Sequence, residues 1–189
     1  TKGGIYYMYY NITSCTPIAS VAGQKRHGDV SSVFPCIQSV AEIRGGPLAP
    51  NLYGVVTFRE VAKGTEVSVE VWGLPQYKPA ENDKQPIGPH GFHIHENGNC
   101  EIGDPENPFQ AAGGHWNPKN APHGNHAGDF PVLFSNNGYS KLCFFTDKFK
   151  PHDVIGKSVI IHQNPDDYRS QPAGNAGKRL ACGVIYRLD

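Results

Sequence analysis

Short runs of alternating apolar and polar residues, separated by clusters of Gly, Pro and Asn, constrain the fold of this chain most strongly. In the clearest run, Val67, Val69 and Val71 alternate with Ser68 and Glu70, as expected for an antiparallel strand with one solvated side. Similar runs occupy residues 39–44, 52–58, 90–96, 141–147, 157–162 and 180–187. No segment carries the sustained apolar period of about 3.6 residues that an amphipathic helix needs. The pattern predicts an all-β sandwich or flattened barrel.

A His-x-His pair lies within one of these runs. A strand projects alternate side chains to one face, so His93 and His95 are predicted to point the same way and to lie close enough to bind one metal ion. Phe92 before the pair and β-branched Ile94 between its members favour a strand over a helix. A pair of this kind is also typical of a solvated sheet face or a local hydrogen-bond partner, and the residues that follow make it informative.

Further candidate ligands lie in a polar loop and at the end of a later strand. His115, His123, His126 and Asp129 occupy a segment of Gly, Pro and Asn with almost no apolar residues, and His162 ends the run 158–162. Such a loop buries little apolar surface, so something else must offset the entropy that it loses on ordering. A metal ion coordinated by several of its side chains would do so.

The residue types indicate which metals would bind. Three histidines and one aspartate suit tetrahedral zinc, and four histidines suit tetragonal Cu(II). The candidates number seven, one fewer than two four-coordinate sites need. One histidine that used both ring nitrogens would complete both sites, and His115 lies where the two sets would meet in the sequence. The residues alone leave this sharing open.

Four motifs resemble the signatures of the copper/zinc superoxide dismutase family. They are residues 91–96 (GFHIHE), 113–118 (GGHWNP), 123–129 (HGNHAGD) and 174–183 (GNAGKRLACG). The resemblance runs in order from about residue 43 to residue 186. It implies the family fold, which is a Greek-key β-sandwich or flattened eight-stranded barrel of immunoglobulin-like architecture.

The resemblance also implies the residues of the site. It makes His115 a bridging imidazolate and Asp166 the carboxylate that links a copper-ligand histidine to a zinc-ligand histidine. It places Arg179 beside the copper and pairs Cys100 with Cys182 in a disulfide. The implied ligands are His93, His95, His115 and His162 for copper, and His115, His123, His126 and Asp129 for zinc.

The implied function is that of a superoxide dismutase, which converts superoxide to O2 and hydrogen peroxide by cycling copper between Cu(II) and Cu(I). Zinc is then structural, His115 acts as both ligand and proton donor, and Arg179 attracts and orients the anion with paired N–H donors that lysine cannot reproduce. The alternative is a copper- and zinc-binding or copper-sequestering protein on the same fold without dismutase activity. The full ligand set argues against a third alternative, a structural β-sandwich with vestigial histidines.

The chain departs from the animal members of the family in two shortened loops, and in this it resembles a bacterial-type member. Only two residues separate His123 from His126, and the stretch 167–174 is short as well. The missing residues include charged groups that shape the electric field at the copper channel in the longer forms. Arg169 is a candidate substitute for a lost lysine.

Charge and cysteine content limit which partners and which cellular location can be expected. Lys plus Arg and Asp plus Glu number 17 each, which argues against nucleic acid and anionic membranes as partners. No apolar run approaches the ~20 residues that span a bilayer, and residues 1–25 show no signal peptide, although the sequence opens on Thr1 rather than methionine. The implied disulfide predicts an extracytoplasmic location, whether periplasmic, cell-surface or secreted. The predicted substrate is superoxide, and a homodimer is left open beside a monomer.

Residues 39–189 are predicted to form the dismutase-like β-barrel domain, and residues 1–38 an N-terminal extension. The tyrosines of residues 6–10 suit either a strand or patch for a partner subunit or a disordered terminus. We expect Cys143 to be a buried small hydrophobe among apolar neighbours, and Cys15 and Cys36 have no assigned role. The histidines that match no ligand position are expected at the surface, namely His27, His90 and His152.

Overall fold

The computed structural model describes residues 37–82 and 84–188. This part of the chain contains two short 3-10 helices, Gln110–Ala112 and Pro151–Val154, and no helix long and apolar enough to span a bilayer. Each of the seven runs predicted from the sequence is a strand in the structure. They are β1 (Ile37–Gly45), β2 (Tyr53–Val61), β3 (Gly64–Trp72), β4 (Phe92–His95), β5 (Ser140–Thr146), β6 (Ser158–His162) and β7 (Arg179–Arg187).

The seven strands form one antiparallel sheet in the order β4-β6-β7-β1-β2-β3-β5. Alternation along each strand decides which side chains face the core. In β3, Val67, Val69 and Val71 are buried in the core while the residues between them are half-buried. Large side chains such as Phe58 and Phe92 fill the same core and are fully buried.

The eighth strand expected from the family fold is absent from the described residues. Isolated bridges stand in its place, and they join His90 to Leu133, His93 to Asp129 and Asn136 to Tyr139. Pro131 lies in the same stretch, and a proline has no N–H to donate to a ladder. The all-β prediction is therefore confirmed, with seven strands and one bridged segment.

Strand β4 presents its two histidines on the face opposite the core. The whole strand is buried, and Phe92 and Ile94 belong to the core. The residues that alternate with them, His93 and His95, therefore point the other way, as predicted.

An irregularity in the pairing of β6 with β7 brings a second set of residues to the same region. The register shifts between Ile161 and His162, so that Ile161 pairs with Ala181 whereas His162 pairs with Arg179. A bulge of this kind re-aims the side chains beside it. It places an imidazole and a guanidinium together at the end of the sheet.

A disulfide joins Cys100 to Cys182 of β7, with Cα atoms 5.6 Å apart. Cys182 is buried against Phe109, Ala112 and Ile160. The bond thereby fastens the loop after β4 to the sheet.

The prediction that Cys143 is a buried small hydrophobe is wrong. Its neighbours Leu142 and Phe144 pack against the core, so Cys143 lies on the outer face of β5, where it is half-buried and disulfide-bonded. Cys15 and Cys36 lie outside the described residues, as do the tyrosines of residues 6–10.

The prediction that His90 lies at the surface is also wrong. His90 is fully buried, with Nδ1 2.8 Å from the carbonyl oxygen of His162 and Nε2 2.9 Å from that of Pro75. A ring N–H that donates to one of these main-chain oxygens is satisfied inside the fold, which allows a histidine there. His152 is exposed as predicted, and His27 lies outside the described residues.

Replacing Cys100 with serine should lower the free energy of unfolding, because the disulfide joins residues 82 positions apart. The chain-entropy model gives an upper value of about 4–5 kcal/mol. Urea unfolding followed by tryptophan fluorescence under non-reducing conditions measures the loss against wild type. A Cys143→Ser variant controls for loss of the other disulfide, and an unchanged unfolding midpoint for Cys100→Ser would contradict the prediction.

Candidate metal centre

All seven candidate ligands come together in two groups that share His115. In each group the potential ligand atoms lie within 4.8 Å of one another. The four-histidine cluster consists of His93, His95, His115 and His162, and the aspartate cluster consists of His115, His123, His126 and Asp129. The histidines are buried and the aspartate is half-buried.

The loop that carries His115 lies along β4. The Trp116 N–H donates to the carbonyl oxygen of Ile94 at 2.8 Å, and a bridge pairs His115 with His95. The ring centroid of His115 consequently lies 4.9 Å from that of His95 and 3.9 Å from that of His93. Main-chain pairing thus fixes the position of the shared ring.

Asp129 organises the turn that carries the aspartate cluster. Its Oδ2 accepts the N–H groups of Gly124 at 2.9 Å and His126 at 3.0 Å, and its Oδ1 lies 3.0 Å from His115 Nδ1. Gly124 has a φ of 89°, and a side chain there would meet the carbonyl oxygen of Tyr168. The turn is therefore tight, and glycine is required at its first position.

One nitrogen of each of four rings is held by a protein oxygen. Asp166 Oδ2 lies 2.6 Å from His93 Nε2 and its Oδ1 lies 2.8 Å from His123 Nε2. The Gly113 carbonyl oxygen lies 3.0 Å from His95 Nδ1, and the Gly177 carbonyl oxygen lies 3.3 Å from His162 Nδ1. A ring that donates from one nitrogen presents a lone pair at the other.

The opposite nitrogens converge without partners. His95 Nε2 and His162 Nε2 lie 3.2 Å apart, although each presents a lone pair. Buried polar atoms without hydrogen bonds are unfavourable unless a ligand satisfies them. Imidazole nitrogens with one carboxylate fit copper and zinc. The further ring nitrogens that are buried without a hydrogen-bond partner are Nδ1 of His93, Nε2 of His115, and Nδ1 of His123 and His126.

Burial favours the neutral form of three rings in the four-histidine cluster. It lowers the pKa of His93 and of His95 well below the ordinary value, and it lowers the pKa of His162 to about 3, with the nearby His115 adding to the effect. Burial alone would raise the pKa of Asp129. The hydrogen bond with His115 and the neighbouring imidazoles outweigh it and hold this pKa well below the usual range. Neutral imidazoles and an ionised carboxylate are the protonation states that bind metal.

Asp166 connects the two clusters through one carboxylate. It is buried, and its two oxygens bind His93 of the four-histidine cluster and His123 of the aspartate cluster. Gly174, at a φ of 62°, lies so close that any side chain there would overlap Asp166 and His123. The carboxylate therefore fixes the orientation of one ring in each cluster.

Arg179 lies beside the four-histidine cluster and is held by main-chain oxygens. Its Nη1 donates to the Phe109 carbonyl and its Nη2 to the Gly113 carbonyl, each at 2.6 Å. The Gly113 oxygen also holds His95, so one acceptor positions both the guanidinium and a ring. Burial lowers the pKa of Arg179, but a guanidinium stays charged at neutral pH. Arg169 is exposed, and its substitution for a lost lysine stays a prediction.

Sequence reasoning missed two residues whose side chains contact the main chain of a ligand residue. His90 contacts the carbonyl oxygen of His162, and Gln171 Oε1 accepts the N–H of His123 at 2.8 Å. Neither residue belongs to a ligand spacing. The one available signal was the position of His90 directly before the first family motif.

Comparison with known proteins agrees with this arrangement. The profile of the copper/zinc superoxide dismutase family matches residues 52–185. The chain belongs to this family. It is 39% identical over 153 residues to the Cu-Zn superoxide dismutase of Deinococcus radiodurans, covering 72% of this chain and 78% of that protein. An extracellular Cu-Zn superoxide dismutase of Rattus norvegicus is 28% identical over 174 residues, covering 86% of this chain and 66% of that protein.

The family match extends to a solved structure, the Cu/Zn superoxide dismutase from Brucella abortus. The two structures superpose with a TM-score of 0.62 at 30% sequence identity, covering 77% of this chain and 98% of that one. The predicted Greek-key barrel fold of the family is confirmed. Copper and zinc are confirmed as the cofactors, and the chain as a member of an enzyme family.

Replacing Asp166 with asparagine should lower the affinities for both copper and zinc. An amide offers one acceptor and one donor group, so its NH2 would face an N–H of one of the two rings. Loss of such an outer contact typically costs 10- to 100-fold in metal affinity. Competition with chromophoric chelators measures both dissociation constants. Asp153→Asn is the matched control, because the Asp153 carboxylate accepts the Lys150 N–H and contacts neither cluster. Metal affinities in Asp166→Asn equal to those in Asp153→Asn would refute the prediction.

The metal-free protein should lose stability as the pH falls from about 6.5 toward 3. The folded-state pKa of His162 is lowered from 6.5 to about 3, with burial as the main cause, so the unfolded chain binds more protons in this window and folding weakens as the pH drops. Thermal unfolding at a series of pH values measures the effect. A His152→Gln variant should follow the wild-type curve because that histidine is exposed, and a flat wild-type profile would count against the assignment.

Proposed function

We propose that this chain dismutates superoxide with copper bound by the four-histidine cluster and structural zinc bound by the aspartate cluster. The observation that carries the assignment is the sharing of His115. Its Nδ1 lies 3.0 Å from Asp129 Oδ1, and its Nε2 is buried without a hydrogen-bond partner. A ring with one nitrogen for each cluster suits a bridging imidazolate.

Copper, when bound, would supply one-electron chemistry between Cu(II) and Cu(I), by which one superoxide is oxidised to O2 and a second is reduced and takes up two protons to give hydrogen peroxide. The residues supply orientation and a proton. Asp166 and the carbonyl of Gly113 hold the rings of His93 and His95 from outside the cluster. His115 Nε2 is the atom that could hold one proton and pass it to the reduced oxygen, while Nδ1 lies toward Asp129. The second proton would come from solvent.

Arg179 binds and orients the anionic substrate. A guanidinium has five N–H donors in a planar fork, and the two carbonyl contacts hold it rigidly without neutralising its charge. The remaining donors can pair with the two oxygens of superoxide. Such preorganised charge beside the reacting atoms is a large contribution for a substrate that offers little else to recognise.

A copper- and zinc-binding protein without dismutase activity is the alternative. It would use the same clusters and would have no need of Arg179 beside them. The half-buried, charged guanidinium favours the enzyme, because burial of a cation without a functional gain is unfavourable.

Further proposals concern the extent of the domain, its location and its partners. We place the catalytic domain at residues 39–189 and treat residues 1–38 as an N-terminal extension. The disulfide between Cys100 and Cys182 fits an extracytoplasmic protein, and the relative from Rattus norvegicus is named extracellular. The balanced charge of 17 basic and 17 acidic residues supports the absence of a nucleic-acid partner, and light scattering of the purified chain would test the homodimer.

Replacing Arg179 with alanine should lower the second-order rate constant for superoxide by about 10- to 100-fold, because the attracting charge and its paired donors are lost. Arg179→Lys keeps the charge without the fork, so its rate should fall between those of Arg179→Ala and wild type. Pulse radiolysis measures the rates on protein loaded with one copper and one zinc per chain.

Cu(II) electron paramagnetic resonance spectra serve as the control for an intact copper site in each variant. Wild-type activity no higher than that of free copper would support the metal-binding alternative. Equal rates in wild type and Arg179→Ala would instead contradict the proposed role of Arg179 in binding superoxide.

A further inference from the structure

The side-chain amide of Gln171 pairs with the main chain of His123. Its Oε1 accepts the His123 N–H at 2.8 Å, and its Nε2 donates to the His123 carbonyl oxygen at 3.4 Å. Nε2 also donates to the carbonyl oxygen of Arg169 at 3.2 Å. The amide therefore pairs with both main-chain groups of His123, as the backbone of an adjacent strand would.

His123 is held from one loop by both its ring and its peptide. Asp166 Oδ1 binds the ring at Nε2, at 2.8 Å, and Gln171 binds the peptide on both sides. The ring contact alone does not prevent rotation about the side-chain bonds or movement of the His123 backbone. With the peptide also held, Nδ1 of His123 is directed into the aspartate cluster, where it lies 3.3 Å from Asp129 Oδ2.

The loop that carries Gln171 is ordered by hydrogen bonds that do not involve His123. Asp167 accepts the N–H groups of Arg169 at 2.9 Å and Ser170 at 2.8 Å, and its Oδ2 accepts the Ser170 hydroxyl at 2.6 Å. The Tyr168 hydroxyl accepts the Val132 N–H at 2.9 Å. Gln171 is thus presented on a support that does not depend on its contact with His123.

The short turn increases the need for such a contact. Two residues separate His123 from His126, so the turn has little length in which to adjust the direction of the first ligand. An external partner on the His123 peptide supplies restraint from outside the turn.

We propose that Gln171 is a positioning residue for His123 and that it tightens zinc binding without touching the metal. The inference rests on the zinc ligand set proposed above. Removing the amide should weaken zinc binding about three- to tenfold, which corresponds to the loss of one or two partly exposed hydrogen bonds. Copper binding in zinc-loaded protein should not change, because His123 is not in the four-histidine cluster.

Gln171→Met tests the proposal, because it keeps the length of the side chain and removes the amide. Ser170→Ala is the matched control, since it removes the hydroxyl that binds Asp167 and Asn175 and leaves the Gln171 amide in place. Zinc dissociation constants come from competition with a chromophoric chelator. Cobalt(II) absorption at the zinc site reports ligand geometry, and the unfolding temperature of the metal-free protein reports a general loss of stability.

We expect Gln171→Met to weaken zinc binding and shift the cobalt spectrum, with Ser170→Ala within twofold of wild type. Equal zinc affinity for Gln171→Met and wild type would overturn the proposal, as would an equal weakening in Ser170→Ala. An Asp129→Ala variant tests the zinc ligand set separately from the role of Gln171. If that variant binds zinc as tightly as wild type, the zinc ligand set itself is wrong and the role of Gln171 falls with it.

Discussion

The close approach of unpaired ring nitrogens inside the protein is the constraint on which the rest of the structure depends. Nε2 of His95 and Nε2 of His162 lie 3.2 Å apart, and further ring nitrogens nearby lack partners. Without a cation this arrangement is unfavourable, so the surrounding protein must hold each ring from behind. The carboxylate of Asp166 and the carbonyls of Gly113 and Gly177 do so.

The sheet delivers these rings through two simple devices. The two-residue period of β4 separates His93 and His95 from the core residues beside them, and the shifted register of β6 against β7 sets His162 opposite Arg179. Neither device needs a special loop. The loops then bring the remaining ligands against a face that the strands have already defined.

Local patterns predicted what depends on local structure. The direction of His93 and His95 follows from alternation, and each predicted run is a strand. The division into two clusters came from the family motifs, because the residues alone left the sharing of His115 open. Identification of the family from these motifs is confirmed by the profile match over residues 52–185.

The burial of His90 and the role of Gln171 were missed for one physical reason. Burial of His90 depends on a carbonyl oxygen 72 residues away, and the role of Gln171 depends on a peptide 48 residues away. A side chain that binds main chain leaves no periodicity or spacing in the sequence. The position of Cys143 was wrong because an apolar neighbourhood in the sequence does not say which face of a strand a residue occupies.

The carbonyl oxygen of Gly113 serves two donors, the guanidinium of Arg179 and the ring of His95. A displacement of this single atom would therefore alter substrate capture and the metal environment together. Effects of substitutions in residues 109–113 would be non-additive with those at Arg179, as is usual for groups with a shared partner. Variation in this loop is consequently constrained as a unit with the arginine, and neither property can be adjusted there independently of the other.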